Sequence, residues 1–199
     1  MLTEQPAGSP PVAMRHAWRD DPERFADLFD AYHRDIHQYV ASRLSVGYAD
    51  DLAAETFLVA FRARDRFVGP VGHVRPWLYG IATNLIRRHR RDEERRYRAL
   101  GRADALERTH TDEAYDERIV DRVSAQGVQR GLAEALRSLK PGDRDVLMLV
   151  AVAELSYAEV AVALGIPQGT VASRLNRARR TVRAALGDED PSRDEKGAS

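Results

Sequence analysis

Cysteine is absent from the 199 residues, which excludes disulfide scaffolds, cysteine-ligated zinc and thiol nucleophiles. Lysine is nearly absent: of 31 basic residues only Lys140 and Lys196 are lysines, a bias that a GC-rich genome explains as well as any function does. No apolar run approaches the ~18 residues that a membrane span needs. The opening stretch, residues 1–11, is polar and proline-rich, without the basic-then-apolar order of a signal peptide, so the chain is expected to be cytoplasmic, with no membrane partner. No alternating pattern of useful length marks a strand, and no internal repeat is evident. A phosphate-binding Walker loop, a Gly-x-Ser-x-Gly elbow and an isolated catalytic carboxylate pair are all missing. The expectation is therefore a protein that is not an enzyme and needs no cofactor or metal.

Net charge is missing too, since 31 Lys and Arg balance 31 Asp and Glu, but the charge is unevenly placed. Residues 87–98 hold seven arginines against Asp92, Glu93 and Glu94. Residues 99–129 hold four basic side chains against seven acids, and residues 168–186 hold five arginines and no acid. Two basic segments separated by an acidic one suggest two places that meet a polyanion, although an arginine-rich face is also a common solvated helix surface.

Apolar residues make up 43% of the chain, and their spacing is helical almost throughout. Phe25, Leu28, Phe29, Tyr32, Ile36, Tyr39, Val40 and Leu44 recur at steps of three and four, predicting a helix over residues 23–44 that Val46 and Gly47 end. A second helix is expected over residues 49–66, with Leu52, Phe57, Ala60 and Phe61 inward. Gly69, Pro70 and Gly72 make residues 67–73 a loop, and Pro76 suits the first turn of the helix that follows. In that third helix Val74, Trp77, Leu78, Ile81 and Leu85 form the expected core stripe, leaving Tyr79, Thr83, Arg87 and Arg90 opposite. An aromatic and basic face suits single-stranded nucleic acid, because bases stack on rings and phosphates meet arginine. His33 and His37 have metal-ligand spacing with Asp30 nearby, but no third ligand follows, and a solvated face explains them.

The sharpest local pattern lies near the C-terminus. Ser156 and Glu159 fit a capping box, Val160, Ala161 and Leu164 face inward, and Gly165 can take the left-handed conformation that ends a helix. After Ile166-Pro167 a second helix begins near Gly169, giving helix, glycine turn, helix. On it Val171, Leu175, Ala178 and Val182 share one side. Opposite lie Thr170, Ser173, Asn176, Arg177 and Arg180, with Arg174 on the flank. Arg and Asn can read base edges in a major groove, and Ser and Thr can bind edges or phosphates.

Three strings together resemble bacterial extracytoplasmic-function sigma factors. Arg75-Pro-Trp-Leu-Tyr-Gly-Ile-Ala-Thr-Asn84 resembles the family's promoter-contacting segment. Ala49-Asp-Asp-Leu-Ala-Ala-Glu-Thr-Phe57 resembles the segment that docks on the polymerase clamp, and residues 155–179 resemble the C-terminal helix-turn-helix. The likeness implies an all-α fold of two small domains and promoter-specific initiation with core RNA polymerase, through the β′ clamp and the β flap. It implies −10 binding and melting by Phe67, Tyr79, Thr83, Asn84, Arg87, Arg90 and Arg91, with a base captured near residues 67–73. It implies −35 binding by Thr170, Ser173, Arg174, Asn176, Arg177 and Arg180, and polymerase docking by Asp50, Asp51 and Glu55. Taken alone, those three acids read as an exposed helix N-terminus. An anti-sigma factor is a further candidate partner. Arg88 and Ala172 depart from the family pattern, which commonly has Asp and a basic residue there. The expected layout is a disordered extension at 1–22, a region 2-like domain at 23–98, a partly helical linker at 99–127, a region 4-like domain at 128–187 and a disordered tail at 188–199. The rival reading is a stand-alone helix-turn-helix regulator that acts without core polymerase. A helical adaptor with no sequence-specific DNA contact is a third.

Overall fold

The computed structural model describes residues 23–44, 46–67, 70, 73–103 and 126–185. The expected N-terminal extension and C-terminal tail, the linker between residues 104 and 125, and residues 68, 69, 71 and 72 of the expected base-capture loop lie outside the described residues. Among the described residues there are seven α-helices and no strand, and the chain divides into two compact units. No helix there is long and apolar enough to cross a membrane.

The first unit is built by α1 (Phe25–Ala41), α2 (Val46–Ala63), a 3-10 turn (Arg64–Arg66) and α3 (Val74–Ala103). α1 buries Phe25, Leu28, Tyr32, Ile36, Tyr39 and Val40, the expected stripe. It stops at Ala41, earlier than the sequence pattern suggested, because Ser42, Arg43 and Leu44 turn back onto the carbonyls of Gln38 and Val40. Val46 and Gly47, expected to end the first helix, instead open the second. α2 buries Ala49, Leu52, Ala53, Thr56, Phe57 and Ala60, and the Thr56 hydroxyl donates to the Leu52 carbonyl at 2.7 Å. Each of the three helices packs on the other two.

The core face of α3 differs from the expected one. Val74, Leu78, Tyr79, Ala82, Thr83 and Ile86 are buried, whereas Trp77, Ile81 and Leu85 are only half-buried. At ~100° per residue the buried arc is turned roughly 90° from the stripe of large aliphatic side chains. Two neighbours, α1 and α2, cover the helix over a broad arc, so small and polar residues are enclosed with the apolar ones. The helix also continues past Arg98 to Ala103. Beyond Ile86 this leaves a stretch of roughly 25 Å at 1.5 Å per residue whose described side chains are exposed or half-buried.

The second unit holds α4 (Gln126–Ser138), α5 (Pro141–Ala151), residues 157–161 of α6 (Tyr157–Leu164) and α7 (Gln168–Ala185). Pro141 opens α5, where its missing N–H costs nothing. Arg144 ties the α4–α5 corner by donating to the Arg137 carbonyl at 2.6 Å. α7 packs on α5 and α4 through buried Val171, Leu175 and Ala178, while Val182 is half-buried.

Candidate nucleic-acid interface

The helix-turn-helix is built as its residues dictate. Glu159 accepts from the Ser156 N–H at 2.8 Å and from the Ser156 hydroxyl at 2.7 Å, while the Glu159 N–H approaches the Ser156 oxygen at 3.3 Å. Gly165 has φ +62, and the Gly165 and Ile166 N–H groups satisfy the Val162 and Ala161 carbonyls. Pro167 caps α7 by accepting from Thr170 and Val171. These bonds fix where α7 begins.

The six expected readers on α7 divide into two groups. Ser173, Asn176 and Arg180 are exposed and lie within about 60° of one another at ~100° per residue. Thr170, Arg174 and Arg177 lie on one flank of that arc: Arg174 adjoins the buried side, whereas Arg177, its side chain 51% exposed, stands about 40° from Ser173. Thr170 and Arg174 are half-buried. Arg177 reaches back to Asp143 on α5 with a two-pronged contact, Nε to Oδ2 at 3.1 Å and Nη2 to Oδ1 at 3.0 Å. The Asp143 side chain is only 8% exposed. Donating to the Asp143 carboxylate raises the Arg177 pKa above its ordinary value. Arg174 lies over Gly142, where a Cβ would stand 2.8 Å from its guanidinium nitrogen. Arg179 and Arg183 are exposed.

On α3 the expected DNA face is partly withdrawn. Tyr79 is 2% exposed, Thr83 is fully buried and Phe67 is 5% exposed, its ring 5.0 Å from that of Trp77. The Thr83 hydroxyl donates to the Tyr79 carbonyl at 2.7 Å, so the Tyr39 hydroxyl, 2.9 Å away, must donate to Thr83. Tyr39 then accepts from buried Arg43 at 2.9 Å. The result is a directed relay from Arg43 through Tyr39 and Thr83 to the α3 backbone. Burial pushes the Tyr79 hydroxyl up to about 12 against the opposing pull of Arg75. Arg90 is half-buried and donates to the Arg43 carbonyl at 2.9 Å. Asn84 and Arg91 are exposed, and Arg87 is half-buried.

The acids of α3 pair along the helix. Asp92 meets Arg88 at 3.8 Å and Arg95 at 3.6 Å, Glu94 meets Arg98 at 3.3 Å, and Glu93 meets His89 at 3.3 Å. The Asp92 and Glu94 pairs are exposed and contribute only ~0–1 kcal/mol each, whereas His89 and Glu93 are more covered. On α2, Asp50, Asp51 and Glu55 are exposed, and Asp50 lies 3.0 Å from His37 Nε2. His33 stacks on Phe29 at 4.4 Å, and among the described residues no group of three or more ligands is placed to hold a metal.

Sequence reasoning missed Asp143 and Arg43. Asp143 reads as an ordinary first-turn acid, and its partner is 34 residues away. No local spacing announces such a pair.

The geometry defines the class as a helical protein that offers two basic helices, one in a helix-turn-helix, to nucleic acid. Residues 28–96 match the family described as Sigma-70 region 2, and residues 129–182 match Sigma-70, region 4. The chain is 34% identical over 164 residues to the ECF RNA polymerase sigma factor SigC of Mycobacterium tuberculosis, covering 81% of this chain and 80% of that protein. It is 31% identical over 174 residues to the ECF RNA polymerase sigma factor SigW of Bacillus subtilis, covering 85% and 92%. CnrH, solved in complex with the cytosolic domain of CnrY, has a TM-score of 0.58 at 24% identity, covering 88% of this chain and 96% of that one. The sigma factor RpoE, solved with the anti-sigma factor NepR from Bartonella quintana, has a TM-score of 0.57 at 19% identity, covering 84% and 99%. These two structures share the fold. The chain belongs to the extracytoplasmic-function RNA polymerase sigma factors. It is a sigma factor, directing promoter-specific initiation of transcription, and the stand-alone regulator is not favoured because both sigma regions are present in order.

Proposed function

We propose that the two units divide the promoter between them. Residues 128–187 form the −35 unit, and α7 enters the major groove there with Ser173, Asn176 and Arg180 toward the base edges. Arg179 and Arg183 meet phosphates. Residues 23–98 form the −10 unit, joined to it through residues 99–127. Asn84, Arg87 and Arg91 meet the opened strand, and a base is captured beside the segment between Phe67 and His73. Unstacking a base costs a few kcal/mol, which contacts to the captured base must offset. Phe67, Tyr79, Thr83 and Arg90 act from inside the unit, where Phe67, Tyr79 and Thr83 are buried and Arg90 donates to the Arg43 carbonyl, and they hold α3 in place. Asp50, Asp51 and Glu55 dock on the β′ clamp, and the −35 unit meets the β flap. An anti-sigma factor covers one of these surfaces when the chain is held inactive. The protein catalyses no reaction itself and works in the cytoplasm.

The observation that supports this reading best is the exposed arc of Ser173, Asn176 and Arg180 on a helix whose opposite side is buried and whose start is fixed by a capped turn. The test is reconstitution with core polymerase, followed by gel filtration and transcription from a promoter library. Co-elution with transcription from a set sharing two elements is expected. Failure to bind a cognate core, with tight duplex binding by the free protein, would overturn it.

A further inference from the structure

The geometry points to Asp143 and Arg177 as a positioning pair that sets α7 for base discrimination and keeps Arg177 itself away from DNA. This inference rests on the −35 reading of α7. Three observations carry it. The pair is two-pronged at 3.0 and 3.1 Å, which fixes both distance and plane, as a single contact would not. Asp143 is buried, so removing Arg177 would leave a carboxylate without its counter-charge in a poorly solvated place. Arg177 lies about 40° beyond Ser173, and although its side chain is 51% exposed, its Nε and Nη2 are both turned back to Asp143 on α5. A helix held at Arg177 cannot roll about its axis without breaking both bonds. Rolling would displace Ser173 and Asn176 together, so the pair governs several base contacts while touching none.

Single-base-substituted −35 duplexes titrated with the full chain bound to core polymerase test this, at temperatures where circular dichroism shows the chain folded. With Asp143→Asn or Arg177→Gln, discrimination is expected to fall several-fold at two or more neighbouring base pairs. The salt slope should be unchanged, since no phosphate contact is lost. The double variant should be no worse than either single one. If a single variant fails to fold because one charge stays buried alone, the double variant, which carries neither charge, gives the same readout. Two results would overturn the inference. Arg177→Gln could erase discrimination at one base pair only, or flatten the salt slope by roughly 0.9, while Asp143→Asn does neither; Arg177 would then touch DNA. Alternatively, all ratios could stay at the wild-type values, leaving a merely structural pair. Failure of the underlying reading looks different: wild-type holoenzyme would itself show no −35 preference, and the inference would fall with it.

Discussion

α3 and α7 are both basic and amphipathic, and both were expected to turn one polar face to DNA. α3 draws Tyr79 and Thr83 inside, where they join a relay with Tyr39 and Arg43. α7 keeps Ser173, Asn176 and Arg180 outside and ties back only a flanking arginine. The difference follows from how much of each helix is covered. α3 is packed by α1 and α2 over a wide arc, so polar groups there need internal partners. α7 buries the narrow stripe of Val171, Leu175 and Ala178, so most of its polar groups are left to solvent or to a ligand. Polar residues on a basic helix therefore sit differently in the two units: Tyr79 and Thr83 are buried with internal partners, whereas Ser173, Asn176 and Arg180 are exposed.

The largest expected effect is the response of the first unit to alkali. The Tyr79 hydroxyl titrates at about 12 in the folded chain against 10.0 when unperturbed, so folding favours the neutral phenol. That contribution is fully present below pH 10 and is lost as pH rises from 10 toward 12, when the unfolded chain ionises first. A difference of two pKa units corresponds to about 3 kcal/mol. Urea titrations across this range should show stability falling more steeply for wild type than for Tyr79→Phe. Parallel curves would mean that Tyr79 is solvated like an ordinary surface tyrosine.

Next in size is a matched pair of substitutions. Thr83→Val keeps the shape but removes the acceptor for the Tyr39 hydroxyl, at a cost of about 1–3 kcal/mol of stability. Asn176→Ala, on the exposed arc, should change stability by no more than about 0.5 kcal/mol. It should instead cost about 1–3 kcal/mol of discrimination at one −35 base pair. Chemical denaturation and duplex titration of both variants would separate the two roles. Equal stability losses would erase the contrast between the helices.

The parts legible in the sequence were those set by neighbours along the chain. The Ser156–Glu159 capping box, the left-handed Gly165 and the buried Val171, Leu175 and Ala178 all depend on steps of three or four residues or a single backbone angle. The core face of α3 was less legible, because Trp77, Ile81 and Leu85 outweigh Ala82 and Thr83 in any apolar count. Only the placing of α1 and α2 decides which side is covered. The start of α2 was misjudged because Val46 and Gly47 look like a break, although both lie inside the helix. Asp143 and Arg177 meet through tertiary packing alone.

Gly165→Ala tests the locally determined side of this contrast. No atom lies within 4 Å of the added Cβ, so its cost is purely that of φ +62, about 1–2 kcal/mol. The loss should appear as a lower Tm, with the −35 base preference kept in whatever remains folded. A shift in preference at unchanged Tm would mean that the turn aims α7 without strain.

The smallest effect expected is that of Gly142→Ala, which probes the flank of α7. The new Cβ would stand 2.8 Å from an Arg174 guanidinium nitrogen, the end of a flexible side chain that can swing clear. Alanine favours a helix over glycine by up to about 1 kcal/mol, so stability should hold or rise slightly. A displaced Arg174 moves from the α5 side toward the exposed arc, where a DNA phosphate can meet it. Duplex titrations with the reconstituted holoenzyme should then show a salt slope steeper by roughly 0.9, with base preference unchanged. An unchanged slope would mean that the arginine finds another protein partner. A loss of preference at one base pair would place Arg174 among the readers, and would move the boundary between support and contact on α7 one residue closer to the core.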